Sequence, residues 1–153
     1  MQVKTLVHKE YTEMEIHVCH NEKSERMLEV ARQIDRMVNL TITGTDEKGT
    51  KIMKVDDVMR FYTHDQKVLA QDKDGTASIA FKLYELEEKL DEKQFIRISK
   101  SEIVNLKKIK RLDMSVSGTI KVIFLDESWT YTSRRNVTRL KNALGYKRRG
   151  EGV

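Results

Sequence analysis

The sequence predicts an α+β fold, mainly antiparallel β, with short covering helices and a strand–helix extension in front of it. Three observations carry that reading. Between residues 40 and 81 apolar residues recur with a period of two, and the breaks are Asp/Gly turns too tight to join parallel neighbours. Helical spacing of apolar residues is confined to short stretches near residues 21–38, 82–90 and 134–144. A chain of 153 residues suffices for one modest core with a small extension, and its lack of proline leaves the element boundaries softly marked.

Residues 14–20 alternate, which puts Met14, Ile16 and Val18 on one face of a strand. From Asn21 the period changes. Met27, Val30, Ile34 and Met37 or Val38 fall along one helical stripe, with Asn21 as N-cap and Glu22 in the first turn, where a carboxylate favours the positive helix end. Strands are then expected over 40–44, 52–55, 58–63, 67–71 and 77–81, an antiparallel meander with turns at 46–49, 64–65 and 72–75. Leu83, Leu86 and Leu90 share one face of a helix over 82–90 that covers the sheet. A strand beginning at Phe95 breaks at Ser99 and restarts as an apolar segment ending at Leu106. Residues 109–114 and 120–125 flank Ser117-Gly118 as a hairpin. Asp126-Glu127-Ser128 turns into 129–132, and Ser133 caps a last helix whose Val137, Leu140 and Leu144 share a face, closed by Gly145. The chain thus divides into an extension over 1–39, a β domain over 40–146 and a basic tail over 147–153.

Charge divides it differently. Residues 1–91 carry 14 Lys and Arg against 18 Asp and Glu, whereas residues 92–153 carry 15 against 6. A cationic excess on short loops attracts a polyanion and steers its approach, so nucleic acid is the first expectation. Lys107, Lys108, Lys110 and Arg111 alternate with Leu106, Ile109 and Leu112 and are equally explained as the wet side of an amphipathic segment. Arg97, Lys100, Lys121, Arg134, Arg135 and Arg139 add to them with few acids between. Arg134-Arg135 directly after Ser133 is informative, because cations are disfavoured at a helix N-terminus unless something such as a phosphate compensates.

An enzyme is not expected. There is no Gly-rich phosphate loop, nucleophile elbow or Cys-x-x-Cys. Asp72-Lys73-Asp74-Gly75-Thr76 resembles the phosphatase motif of the haloacid dehalogenase superfamily, but it follows a short strand and lacks a downstream acidic pair; an Asp/Gly hairpin turn explains the same letters. His17, Cys19 and His20 do not converge if 14–20 is a strand, since His20 points away from the other two, so no metal and no cofactor is expected. Cys19 is the only cysteine and cannot form an internal disulfide. That suits a reducing cytoplasm, the expected location. No secretory leader pattern opens the chain, and the apolar run at 122–125 is far shorter than the roughly 20 residues of a membrane span.

Phe95-x-Arg97-Ile98-Ser99-Lys100-Ser101-x-x-Val104-Asn105 resembles the F-x-R-x-H-R-S-x-x-V-N signature of the LytTR-type DNA-binding domains, found at the C-terminus of many bacterial response regulators. The likeness extends to 129–137, Trp-Thr-Tyr-Thr-Ser-Arg-Arg-Asn-Val, which is similar to the family's closing strand, Ser-x-Arg and last helix. It covers roughly residues 40–145. The family's usual His is Ser99 here, and the Arg that follows is Lys100.

The resemblance implies a stand-alone bacterial transcriptional regulator with an elongated β domain that reads duplex DNA with loops and strand ends instead of a helix-turn-helix. By position it implies three contact points: Gln66 and Lys67, then Ser99, Lys100 and Ser101, then Ser133, Arg134 and Arg135. Lys100 and Arg135 are the candidates for base edges and the serines for phosphates, with Arg97, Lys107, Lys108 and Lys121 adding charge. Val104 and Asn105 hold the loop in shape. The extension over 1–39 is expected to support a homodimer. By the family's habit it is also where a restraining membrane-protein partner would bind. The competing expectation is a module for RNA or an acidic protein, against which stands the expected burial of most of Phe95, Phe124, Trp129, Tyr131 and Tyr146.

Overall fold

The computed structural model describes residues 16, 17, 19 and 24–146. The chain divides into two compact units, Met1–Val38 and Asn39–Val153. In the first, α1 spans Glu25–Val38, and its apolar Met27, Val30 and Ile34 are half-buried. The Ser24 hydroxyl accepts from the Met27 N–H at 3.2 Å, so the helix starts with Ser24 as its cap and Glu25 in its first turn. That is later than the expected start at Asn21. A short hydroxyl side chain three residues on satisfies the same orphan donors. Ile16, His17 and Cys19 lie in no strand, contrary to the alternation expected over 14–20. Met14, Val18, His20, Asn21, Glu22 and the tail 147–153 lie outside the described residues.

Among its described residues the second unit holds ten strands in two antiparallel sheets. The larger contains β1 (Thr41–Asp46), β2 (Gly49–Lys54), β3 (Arg60–His64), β4 (Lys67–Asp72), β5 (Gly75–Ile79), β6 (Phe95–Ser99) and β7 (Glu102–Asn105), in the order β2-β1-β5-β4-β3-β7-β6. The smaller contains β8 (Ile109–Asp113), β9 (Lys121–Phe124) and β10 (Trp129–Tyr131), in the order β10-β9-β8. The helices are α2 (Leu83–Lys89) and α3 (Val137–Ala143).

The expected meander holds for β3-β4-β5 but not through β2. That strand is an edge, and a link of residues 55–59 carries the chain from it to β3, fifth in the order. At about 4.8 Å per strand the two lie roughly 19 Å apart on a flat sheet. Six Cα steps reach only about 21 Å when fully extended, and a 3-10 turn at Val55–Asp57 shortens them. The sheet must therefore curl. Val55, Val58 and Met59 in the link are buried, as that path requires.

Two apolar cores result. One gathers Phe61, Met53, Ile103 and Phe95 under Leu83, Leu86 and Leu90, the face expected for α2, whose Glu85 side chain accepts from the Lys82 N–H at 2.7 Å. The other packs Ile96, Ile98 and Val104 of the large sheet against Ile120, Val122 and Phe124 and against Leu140 of α3. Every residue of β7 is buried because both its faces are covered: Ile103 belongs to the first core and Val104 to the second.

The last helix departs from expectation. Ser133 heads a 3-10 turn, Arg134–Asn136, and the seven-residue α3 begins only at Val137. The Ser133 hydroxyl accepts from Asn136 Nδ2 at 2.8 Å and caps no backbone N–H. Leu140 is fully buried while Leu144 is exposed, so a single turn anchors the helix. Gly145 follows with φ of +68°, the left-handed closure expected of it.

Candidate nucleic-acid interface

The first contact point is the β3–β4 turn. His64 pairs with Lys67, leaving Asp65 and Gln66 as a two-residue loop with φ of +46° and +63°. Two successive left-handed residues make the tight turn that matches strand twist, and they present Gln66 and Lys67 to solvent. The second is the β6–β7 turn. Ser101 N–H donates to the Ser99 hydroxyl at 3.2 Å, and the two serine hydroxyls lie 3.3 Å apart. Arg97 reaches into the turn from beneath, donating from Nε to the Ser99 carbonyl at 2.7 Å and from Nη2 to the Lys100 carbonyl, with Glu87 at 3.3 Å on Nη1. A guanidinium fork matches two adjacent carbonyls, and Lys100 is held outward, exposed, above it.

Backbone hydrogen bonds tie these segments together. Thr63 N–H donates to the Ser101 carbonyl at 2.9 Å, joining the first turn to the second. Ser133 N–H donates to the Ile98 carbonyl at 2.8 Å, joining the second to the third contact point. Arg134 continues across the β8–β9 hairpin: a Cβ built on Gly118, where φ is +79°, would lie 3.4 Å from its Nε. Glycine there supplies the left-handed conformation of the turn against which the guanidinium lies. In the same hairpin Asp113 accepts from the Ser115 N–H at 2.9 Å, and that bond, with Lys121 and Arg111 nearby, holds its carboxyl below the usual range. The three predicted contact points thus form one edge. On it Lys67, Lys100, Arg134 and Arg135 are exposed and make no ion pair or side-chain hydrogen bond among the described residues.

Other predicted residues lie elsewhere or are engaged. Lys107 and Lys108 follow β7 at its opposite end, where they face Asp56 and Asp57 at 3.9 and 3.5 Å. Lys121 lies with its ammonium 4.4 Å from the centroid of the Trp129 ring. Val104 and Asn105 are fully buried. Asn105 Nδ2 donates to the Asp56 and Val58 carbonyls at 3.1 and 2.8 Å, and its Oδ1 accepts from the Lys107 N–H at 3.0 Å, so it holds the link between β2 and β3. Asp72 closes the β4–β5 hairpin, accepting from the Asp74 N–H at 2.9 Å and from Lys51 Nζ at 2.7 Å, as a structural turn does. No group of metal-ligating side chains occurs among the described residues.

The aromatic expectation is corrected. Phe95 and Phe124 are buried, but Trp129, Tyr131 and Tyr146 are exposed. Trp129 and Tyr131 meet edge to face at 5.4 Å. Alternation along β10 turns Thr130 inward and both rings outward, because the inward position serves a polar network: Thr130 Oγ1 donates to Glu102 Oε2 at 2.6 Å. Sequence reasoning missed Glu102 and Arg60, which meet at 3.0 Å between the sheets. The signal was available as a lone carboxylate in the otherwise apolar stretch 102–104.

An edge of turns carrying exposed cations on an antiparallel β domain is suited to attract a polyanion. Among the described residues no two α-helices follow each other without intervening strands, so no helix-turn-helix is formed there. The profile of the LytTr DNA-binding domain matches residues 48–145. Proteins of Staphylococcus aureus strains NCTC 8325 and COL, each described as an uncharacterised HTH-type transcriptional regulator, are 33% identical over 124 residues, covering 81% of this chain and 82% of theirs. The LytTr DNA-binding domain of a Bacillus cereus protein described as a methyl-accepting/DNA response regulator superposes with a TM-score of 0.65 at 23% identity, covering 69% of this chain and 96% of that one. The chain belongs to the LytTR family and is a DNA-binding transcriptional regulator.

Proposed function

We propose that the protein reads a specific duplex sequence with the three turns of this edge: Lys100 and Arg135 on base edges, Lys67, Arg134 and the Ser99, Ser101 and Ser133 hydroxyls on phosphates, and Gln66 beside Lys67. The observation that carries this is the tie of the turns by the Thr63–Ser101 and Ser133–Ile98 hydrogen bonds, with four exposed cations along it that are unpaired among the described residues. Phosphate contacts fix register and base contacts discriminate. Arg97 serves as the clamp that shapes the Lys100 turn, and Lys107, Lys108 and Lys121 contribute to the long-range field. The test is footprinting on DNA upstream of the protein's own coding region. Protection of a defined segment that Lys100→Ala abolishes supports the reading; protection spread evenly over any duplex overturns it.

The extension with α1 serves a homodimer in this reading, since two linked readers on two half-sites multiply modest affinities. A membrane-protein inhibitor is its further candidate partner, and the cytoplasm the compartment. Among the described residues no helix is long and apolar enough to cross a membrane. The exposed Trp129 and Tyr131 favour one second reading, single-stranded nucleic acid stacked on the rings. Competition between duplex DNA and single-stranded RNA separates the two.

A further inference from the structure

The three turns belong to two different sheets. Those at 64–67 and 99–101 are hairpins of the large sheet, whereas Ser133-Arg134-Arg135 is delivered by β10 of the small one. Reading one duplex with both requires the sheets to keep a fixed setting. The apolar contacts between them slide at little cost because they are non-directional. Besides the Ser133–Ile98 backbone bond, the directional contacts between the sheets are side-chain bonds gathered around one residue, Arg60 of β3. Its Nη1 donates to Glu102 Oε1 at 3.0 Å and its Nε to Gln71 Oε1 at 2.7 Å. Each partner then reaches across. Glu102 Oε2 accepts from Thr130 Oγ1 of β10 at 2.6 Å, and Gln71 Nε2 donates to the Ser128 hydroxyl at 3.2 Å and to Asp126 Oδ2 at 3.3 Å, in the turn that leads into β10. The guanidinium also lies 5.7 Å from the centre of the Phe124 ring of β9. Arg60 and Glu102 side chains are 17% and 9% exposed, so water competes weakly for these bonds.

We infer that the Arg60–Glu102–Thr130 chain, seconded by Gln71–Ser128, is the positioning device that sets Arg135 relative to Lys100, and so fixes the spacing between base pairs that the two sheets read. Glu102 is one residue from Ser101, and Thr130 three residues from Ser133. Each end of the chain is therefore almost continuous with a reading turn. None of these side chains is assigned a DNA contact. Their effect is on the register between contacts, and it rests on the proposed roles of Lys100 and Arg135.

A double-mutant cycle tests it. Thr130→Val keeps shape and removes the hydroxyl; in the wild-type background it is expected to weaken binding to the preferred site about tenfold, and in an Arg135→Ala background less than about twofold, because register is irrelevant once one reader is gone. The slope of affinity against salt stays unchanged, since no phosphate contact is lost. Thr130→Ser, which keeps the hydroxyl, retains wild-type affinity. Equal losses in both backgrounds, or no loss in either, overturn the positioning role while leaving the reading turns intact. Should Arg135→Ala itself prove silent on the preferred site, the proposed reading falls and the positioning role with it. Circular dichroism melts of each variant separate a shift of register from a loss of fold.

Discussion

At the end of β7 that follows the 99–101 turn, Lys67, Lys100, Arg134 and Arg135 stand unpaired among the described residues. Past its other end Lys107 and Lys108 face Asp56 and Asp57, and Lys110 contacts Glu127. The sequence is basic around Lys100, Arg134 and Arg135 as it is around Lys107 and Lys108, and its charge excess alone does not distinguish them. What distinguishes them is topology. The link from β2 to β3 places two carboxylates of the acidic half beside the lysines after β7, whereas at the turns Glu87 pairs with Arg97 and leaves Lys100, Arg134 and Arg135 exposed. A charge count measures attraction at a distance, and only pairing shows which cations remain for a phosphate.

Substitutions at the two ends should fail in opposite ways. Lys100→Ala and Arg135→Ala are each expected to cost about 1–3 kcal/mol on the preferred site and far less on random duplex, with the melting temperature unchanged. Affinity titrations on both DNAs check this, and equal losses would demote the pair to phosphate clamps. At the far end Asn105→Ala leaves the buried Val58 carbonyl without its side-chain donor, removes the bond to the Asp56 carbonyl, and is expected to cost about 1–3 kcal/mol of stability. Denaturant unfolding measures that loss, while affinity well below the melting point should stay near wild type. A specific loss of binding without loss of stability would place Asn105 at the interface.

How far this contrast was legible in sequence depends on the interaction. Strand and turn positions followed from period two and Asp/Gly breaks, and Ser99-Lys100-Ser101 stood out as a break inside an apolar stretch. Pairing was not legible, because Asp56 and Lys107 are 51 positions apart and meet only through the crossover that the meander reading lacked. The exposure of Trp129 and Tyr131 is not legible in the sequence for a related reason. Thr130 is the less hydrophobic residue, and it points inward because Glu102 awaits it. The signature and the charge both single out Arg97, and its guanidinium clamps two carbonyls beside it. Ser133 was read as a helix cap, but the segment it heads is a 3-10 turn.

The smallest effects belong to the paired lysines. Lys108→Ala is expected to change stability by under about 1 kcal/mol, as exposed pairs do, and the affinity for the preferred site by less than Lys100→Ala does. Smaller still is a pH effect at Glu127, whose carboxyl the Lys110 side chain holds below the usual range. A carboxylate with a lowered folded pKa contributes stability above its unfolded value, and that contribution is lost as pH falls through the folded one. Carbon-detected NMR titration should show Glu127 titrating low, and returning to the ordinary range in Lys110→Ala.

Two doubly substituted proteins with the same change in net charge, Lys67→Ala/Arg134→Ala and Lys107→Ala/Lys108→Ala, compared with wild type for affinity against salt, test the contrast most directly. If the reading edge holds the phosphates, the slope of log affinity against log salt becomes shallower by ~1.8 in the first, at about 0.9 per contact, and keeps its wild-type value in the second. Equal reductions in both would show that net charge, and not the edge of turns, governs binding.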